Sequence, residues 1–363
     1  MTLGMKITMG FGIIITIMII LGGVGVVNMN RAGDSAYGLA NKYAPEVDVA
    51  TRLERNVIKM MYEMRGYNFT GDEKYLKGGK DFLDRAKARL ADAEALLVKF
   101  PELAGLRKGI EETKAPLLVY EKLITDTEKT IAKQNVIRGV MNESAGLFME
   151  NINKYIKEIT IVSKKLLKEG ATGDAAIVRI DMATTANDIV DLGNGVRIAN
   201  FRAQATGDYS GIKAVIKNFD EIDAKIDELK KVTFIDSNKQ LLETTRKGAH
   251  DYKKAMEDYL VVIAELGKIN EGRVVNGNIA LSAAEAVARL GVEETIKQSN
   301  EAHNQLSSAS TTMIIGLIIA FIIGVLAAIF IIRSITRPTI EAVRTIAEAN
   351  NQVVSASDQI AAS

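Results

Sequence analysis

The string ATRLERNVIKMM carries three cations, Arg52, Arg55 and Lys59, at the spacing i, i+3 and i+7. On a helix that spacing sets all three on one face. Two guanidinium forks side by side suit a carboxylate, which they hold through paired charge-assisted hydrogen bonds, so the string can form an anion site. A solvated helix face with Asp48 and Glu54 as partners uses the same residues, and on the residues alone both readings stand open.

Other chemistry has less to rest on. The chain has no cysteine, which excludes disulfides, thiolate nucleophiles and Cys-ligated metal. Its two histidines, His250 and His303, are far apart. Neither has a second histidine or a carboxylate cluster at ligand spacing, so both read as helix-surface residues and no metal site or cofactor is expected. A Ser-His-Asp arrangement has no footing. A carboxylate pair could be drawn anywhere among the 45 acidic residues, so no catalytic residue is assigned and no enzyme is expected.

The elements that must position the cations are helices. Of 363 residues 47% are apolar, with four prolines and no tryptophan, and Ala, Ile, Leu, Met, Glu and Lys dominate long stretches. That composition predicts an all-α chain. Residues 7–27 and 311–332 contain no charge. At about 1.5 Å per residue each is long enough to cross a bilayer, so two transmembrane helices are expected. The first run is longer than a signal-peptide core and lacks a small-residue cleavage site, which favours an uncleaved anchor.

Lys6 precedes the first span and Arg333 and Arg337 follow the second. Basic flanks stay in the cytoplasm, which sets 28–310 outside, in the periplasm or extracellular space of a multi-pass inner-membrane protein in contact with lipid. Removing Lys6, Arg333, Arg337 and Arg344 from the 46 basic residues, and Glu341, Glu348 and Asp358 from the 45 acidic ones, leaves the two signs equal over 28–310. That balance argues against a nucleic-acid partner.

Within 28–310 the tripeptide Thr-Gly-Asp occurs at 70–72, 172–174 and 206–208. Glycine closes a helix in the left-handed conformation, and the following aspartate can accept from the free N–H groups that open the next one. Each copy therefore reads as a turn between helices. Two further connectors are KFPELAG, where Pro101 suits a first helical turn, and VTFIDSN, where Asp236, Ser237 or Asn238 can cap the next helix. The expected helices are 28–70, 73–99, 102–169, 174–205, 208–232 and 236–310, with a break allowed near Gly146.

The third and sixth are the long ones, at about 100 Å each if straight, against ~35 to 50 Å for the second, fourth and fifth. This predicts two stacked four-helix bundles, a membrane-proximal one over 28–134 plus 266–310 and a distal one over 135–265. In that path Gly71 and Gly207 fall where the bundles meet, and Gly173 at the far tip.

The string MRGYNFTGDEKYL, 64–76, resembles the end of the first helix in the four-helix-bundle sensor modules of bacterial receptors. With the two-tier, six-helix length, the chain resembles the N-terminal portion of methyl-accepting chemotaxis receptors with a helical bimodular (HBM) sensor domain. RSITRP, 333–338, resembles the start of a HAMP linker. The second HAMP helix and its Gly-Asp element are not recognisable. Instead Val343, Ile346, Asn350, Val353, Ser357 and Ile360 continue a coiled-coil spacing, and NNQVVSASDQIAAS resembles the opening of a signalling helix.

The resemblance implies a homodimeric chemoreceptor for a small organic acid, coupled to a coupling protein and histidine kinase through a region absent from this chain. It also implies arginines on the first outer helix at a dimer contact, where Arg52 and Arg55 stand. Counting from the membrane sets Arg289 nearly level with Arg52, and Arg273 level with Arg65, so Arg273 or Arg289 could complete the site. Arg289 could instead pair with Glu285 or Glu293. In the distal bundle Arg197 and Arg202, with Arg179 nearer the tip, are candidates for a second small acid. The alternatives are the sensor of a membrane histidine kinase or cyclase, and a non-signalling structural bundle.

Overall fold

The computed structural model describes residues 3–170 and 173–361. It is all-α, with no strand among the described residues. The helices are α1 (Leu3–Gly38), α2 (Ala44–Thr70), α3 (Glu73–Lys99), α4 (Ala104–Lys168), α5 (Asp174–Thr206), α6 (Ile212–Ile216), α7 (Asn218–Val232), α8 (Asp236–Ile331) and α9 (Arg337–Ala361). Single π turns, Leu39–Tyr43 and Ile332–Thr336, join α1 to α2 and α8 to α9. The apolar runs thus continue into neighbouring helices: α8 carries residues 236–310 and the second run as one helix. α4 passes through Gly146 without a break. The two helical stretches that hold these runs are long and apolar enough to cross a membrane, and their apolar windows are unburied.

Three sequence expectations need adjusting. Pro101 lies in a turn ahead of α4 and not inside its first turn. The 208–232 segment is not one helix, because α6 ends at Ile216 and α7 starts at Asn218. The third difference concerns the tripeptide turns.

At Gly71 and Gly207 φ is 68° and 72°, and each amide donates four residues back, to Tyr67 and Ala203. Asp72 Oδ1 accepts from the Lys74 amide at 2.9 Å and Asp208 Oδ1 from Ser210 at 3.0 Å. The threonines have a part as well. Thr70 and Thr206 donate to the carbonyls of Gly66 and Arg202 and accept from the amides of Asp72 and Asp208, at 3.1 and 3.3 Å. Thr-Gly-Asp is therefore a self-contained turn in which every member is bonded. Thr172 lies outside the described residues. At the second copy Gly173, φ 70°, is itself the N-cap and Asp174 the first helical residue, so this aspartate does not cap.

The fold divides into two compact units, residues 1–52, 89–110 and 283–363, and residues 53–88 and 111–282. In the first unit the apolar parts of α1 and α8 touch, and Cβ atoms added at Gly316 and Gly10 would meet Leu21 and Ile331. Glycines let apolar helices approach without a hydrophobic drive between them. Gly105 and Gly109 open the face of α4 to Leu290 and Val287 in the same way.

In the second unit Val57, Met60, Met64 and Tyr67 of α2 are buried, as are Leu76, Leu83 and Ala86 of α3 and Leu117, Tyr120 and Ile124 of α4. Further along, α4, α5, α7 and α8 share a core that includes Phe148, Tyr155, Ile189, Ile226 and Met256. Phe148 fits there because two glycines make room. Added Cβ atoms would stand 2.4 Å from its ring at Gly193 and 2.7 Å from its backbone N at Gly248.

Candidate functional site

The predicted cations divide by burial. In the first unit Arg52 donates through Nε to Asp48 Oδ1 at 2.8 Å, and Arg289 through Nη1 to Glu293 Oε1 at 3.0 Å. Both side chains are more than half exposed. Gly291 packs on Val47, so in an antiparallel register Arg289 faces residue 49, about one turn from Arg52. Each arginine is instead paired along its own helix, and exposed i,i+4 pairs of this type stabilise a helix by only about 0.3–0.5 kcal/mol.

In the second unit Arg55 and Lys59 are exposed, with the Lys59 ammonium 5.2 Å from the Phe82 ring centroid. Arg55 makes no ion pair among the described residues. Its face of α2 is unusual in composition: Ile58 is 45% exposed, Tyr62 68% and Phe69 88%. Arg65 is exposed among them. The order Arg55, Ile58, Tyr62, Arg65, Phe69 repeats three and four, the spacing of a coiled-coil seam. The opposite face supplies the buried Val57, Met60, Met64 and Tyr67, which explains why α2 is helical here with apolar residues on both sides.

Arg273 is the opposite case. It is 2% exposed, and its guanidinium meets neutral groups: Nη1 donates to the Met64 carbonyl at 3.2 Å, and Nη2 to Asn68 Oδ1 at 3.2 Å and Asn270 Oδ1 at 3.1 Å. Nε has no partner. No carboxylate pairs with it among the described residues. Burial pushes its pKa down, against a pull upward from Tyr120. Burial raises the Tyr120 hydroxyl to about 12, against Arg273 and Arg65. A buried cation without a counterion costs several kcal/mol, and its place beside Met64 agrees with the count that set it level with Arg65. The structure does not gather Arg273 with Arg55 and Lys59, because one is inside the unit and the others on its surface.

Of the distal candidates, Arg202 is exposed. Arg197 is half-buried, 6.0 Å from the Phe201 ring centroid, with an unpartnered Nε. It borders a cavity of about 20 Å³ with Phe148, Phe219 and Tyr252, room for about one water. Arg179 lines a larger apolar cavity of about 210 Å³ with Leu167, Ile180 and Ala183.

A polar centre around Tyr259 escaped the sequence reading. This buried hydroxyl accepts from Gln134 Nε2 and Arg138 Nη2, each at 3.0 Å, and lies 3.5 Å from the Tyr209 hydroxyl. Burial first, then Tyr259, raise the pKa of Tyr209, against Arg138. Gly71 packs beside Ile131 of α4, while Tyr209 meets Tyr259 of α8, the residue that Gln134 and Arg138 of α4 bond. A second buried bond joins Asn200 Nδ2 to Tyr252 at 2.9 Å. The available signal was a polar residue inside an apolar stripe, as Gln134 stands between Ile131 and Ile137. Comparison of the chain with protein-family models gives no match, and comparison with curated proteins gives none.

Proposed function

We propose that the chain is the sensor part of a homodimeric transmembrane chemoreceptor that binds a small organic acid outside the inner membrane. The observation that carries this reading is the exposed seam of α2. Two such seams packed in parallel about a two-fold axis that runs along α2 set each residue against its counterpart. Ile58, Tyr62 and Phe69 then gain the apolar burial they lack in one chain. Arg55 meets its own copy and Arg65 meets its own. Like charges across a contact are unfavourable unless an anion lies between them, and a carboxylate supplies that charge with matching geometry.

Transmission rests on α8, which carries Arg273 beside α2 and runs without interruption into the second apolar run. An acid that binds one packing of α2 and α8 more tightly than another shifts the balance between them by that difference in affinity. Shifts of about 1–2 Å between packed helices are enough to carry a switch. The π turn Ile332–Thr336 and α9, as the HAMP-like linker and the start of a signalling helix, then pass the movement onward to a coupling protein and histidine kinase.

The test uses the full chain in lipid nanodiscs and calorimetry against a panel of mono-, di- and tricarboxylates. At least one acid should bind, and Arg55→Ala should weaken it tenfold or more. Because the chain has no cysteine, Tyr62→Cys introduces a single thiol, and an added oxidant such as copper phenanthroline, by accepting the two electrons, should link two copies by a disulfide. No binding by any acid, or unchanged affinity in Arg55→Ala, refutes the reading.

A further inference from the structure

Glu46 and Arg273 are the buried charged side chains among the described residues, and Glu46 has no part in the acid site. It stands in the first turn of α2, directly after the π turn, and is 3% exposed. The approach of α8 buries it. A Cβ added at Gly291 would lie 3.5 Å from Glu46 Cγ and 2.9 Å from Val47 Cγ2, so the helices meet over a glycine.

Charged groups face it from two sides. On α8, one turn beyond Gly291, Glu294 presents a second carboxylate, itself 3.6 Å from Lys297. From the π turn Lys42 attracts Glu46, but its ammonium is held by Glu102 at 2.5 Å, ahead of α4, and lies 5.1 Å from the Tyr43 ring centroid. Among the described residues no hydrogen bond or ion pair ends on the Glu46 carboxylate. A buried carboxylate with no donor is costly when ionised, and the proton removes that cost. Burial first, then Glu294, raise its pKa to about 7, against Lys42.

We propose that Glu46 is a proton-operated latch between α2 and α8, closed over Gly291 when neutral and loosened when its charge stands against Glu294. The latch acts on the helix that leads into the second apolar run, and it needs no ligand.

The direction comes from linkage. The closed contact holds the proton more tightly than an open or unfolded chain, in which Glu46 returns toward its ordinary value of 4.5. The closed state is therefore fully favoured below that value. It loses ground as pH rises from there to about 7 and levels off above. A change from 4.5 to about 7 corresponds to about 300-fold in the closing equilibrium.

The test compares thermal unfolding of the full chain in nanodiscs, wild type against Glu46→Gln, across that pH range and above it. The stability gained by Glu46→Gln over wild type should grow with pH and flatten near neutrality. The infrared band of a buried protonated carboxyl should bleach with a midpoint near pH 7 in wild type and be missing in Glu46→Gln. Glu294→Gln, which leaves Glu46 in place, should lower that midpoint. Parallel stability profiles, or a carboxyl band unchanged in Glu46→Gln, overturn the latch. No acid ligand enters this test, so its failure is separate from failure of the acid-receptor reading.

Discussion

Arg273→Met asks whether the buried guanidinium serves stability or binding. The arginine makes three hydrogen bonds to neutral acceptors, from Nη1 and Nη2, and leaves Nε bare. Each bond from a charged donor contributes about 1.5–3 kcal/mol. Taking the guanidinium out of water without a counterion costs several kcal/mol, and the two terms are of similar size. Methionine fills comparable space with a flexible apolar chain, and the Asn68 and Asn270 amides, part-buried, can turn toward water. Arg273→Met should therefore stay within about 1 kcal/mol of wild type, a shift in Tm of under about 4 °C. Arg273→Ala removes the volume as well and should cost about 2–5 kcal/mol. The assay is thermal unfolding of the full chain in nanodiscs, followed by helical circular dichroism, with calorimetry of acid binding beside it. A Met variant as stable as wild type but impaired in binding fits a residue kept for its charge. A loss in Tm beyond about 8 °C for Arg273→Met, equal to more than about 2 kcal/mol, would refute the balance and make the arginine a structural pin.

Three glycines offer sharper structural tests. At Gly248 an added Cβ meets backbone, with Phe148 N at 2.7 Å, Phe148 Cα at 3.0 Å and Ser144 O at 3.0 Å. Gly248→Ala should cost about 1–3 kcal/mol by forcing α4 from α8, while Gly139→Ala, with nothing within 4 Å, should gain up to about 1 kcal/mol; chemical denaturation of the pair reads the contrast. Gly207→Ala has open space around it but a φ of 72°, so its cost should be backbone strain alone, about 1–2 kcal/mol, and Gly207→Asn should recover most of it in the same assay.

Local chemistry made much of the fold legible. Thr-Gly-Asp can be read as a turn because its bonds are made within the tripeptide and with the helical turns directly before and after it, as Thr70, Gly71 and Asp72 show. The limits 73–99 for α3 agree with Glu73–Lys99 for the same reason: breaker, cap and apolar spacing all lie close in sequence. The all-α class followed from composition and helical periodicity, which are also local properties.

What a cation or carboxylate can do was settled elsewhere. Arg52, Arg55 and Arg273 have similar helical neighbours in sequence, yet Arg52 pairs outward with Asp48, Arg55 lies on an open seam, and Arg273 is inside against Met64 and Asn68. Glu46 reads as an ordinary acidic residue in a first helical turn until Gly291 brings α8 over it. Sequence spacing determines which residues share a helix face. Only the packed helices decide whether that face meets water, another helix or an uncompensated charge, because desolvation depends on groups distant in the chain.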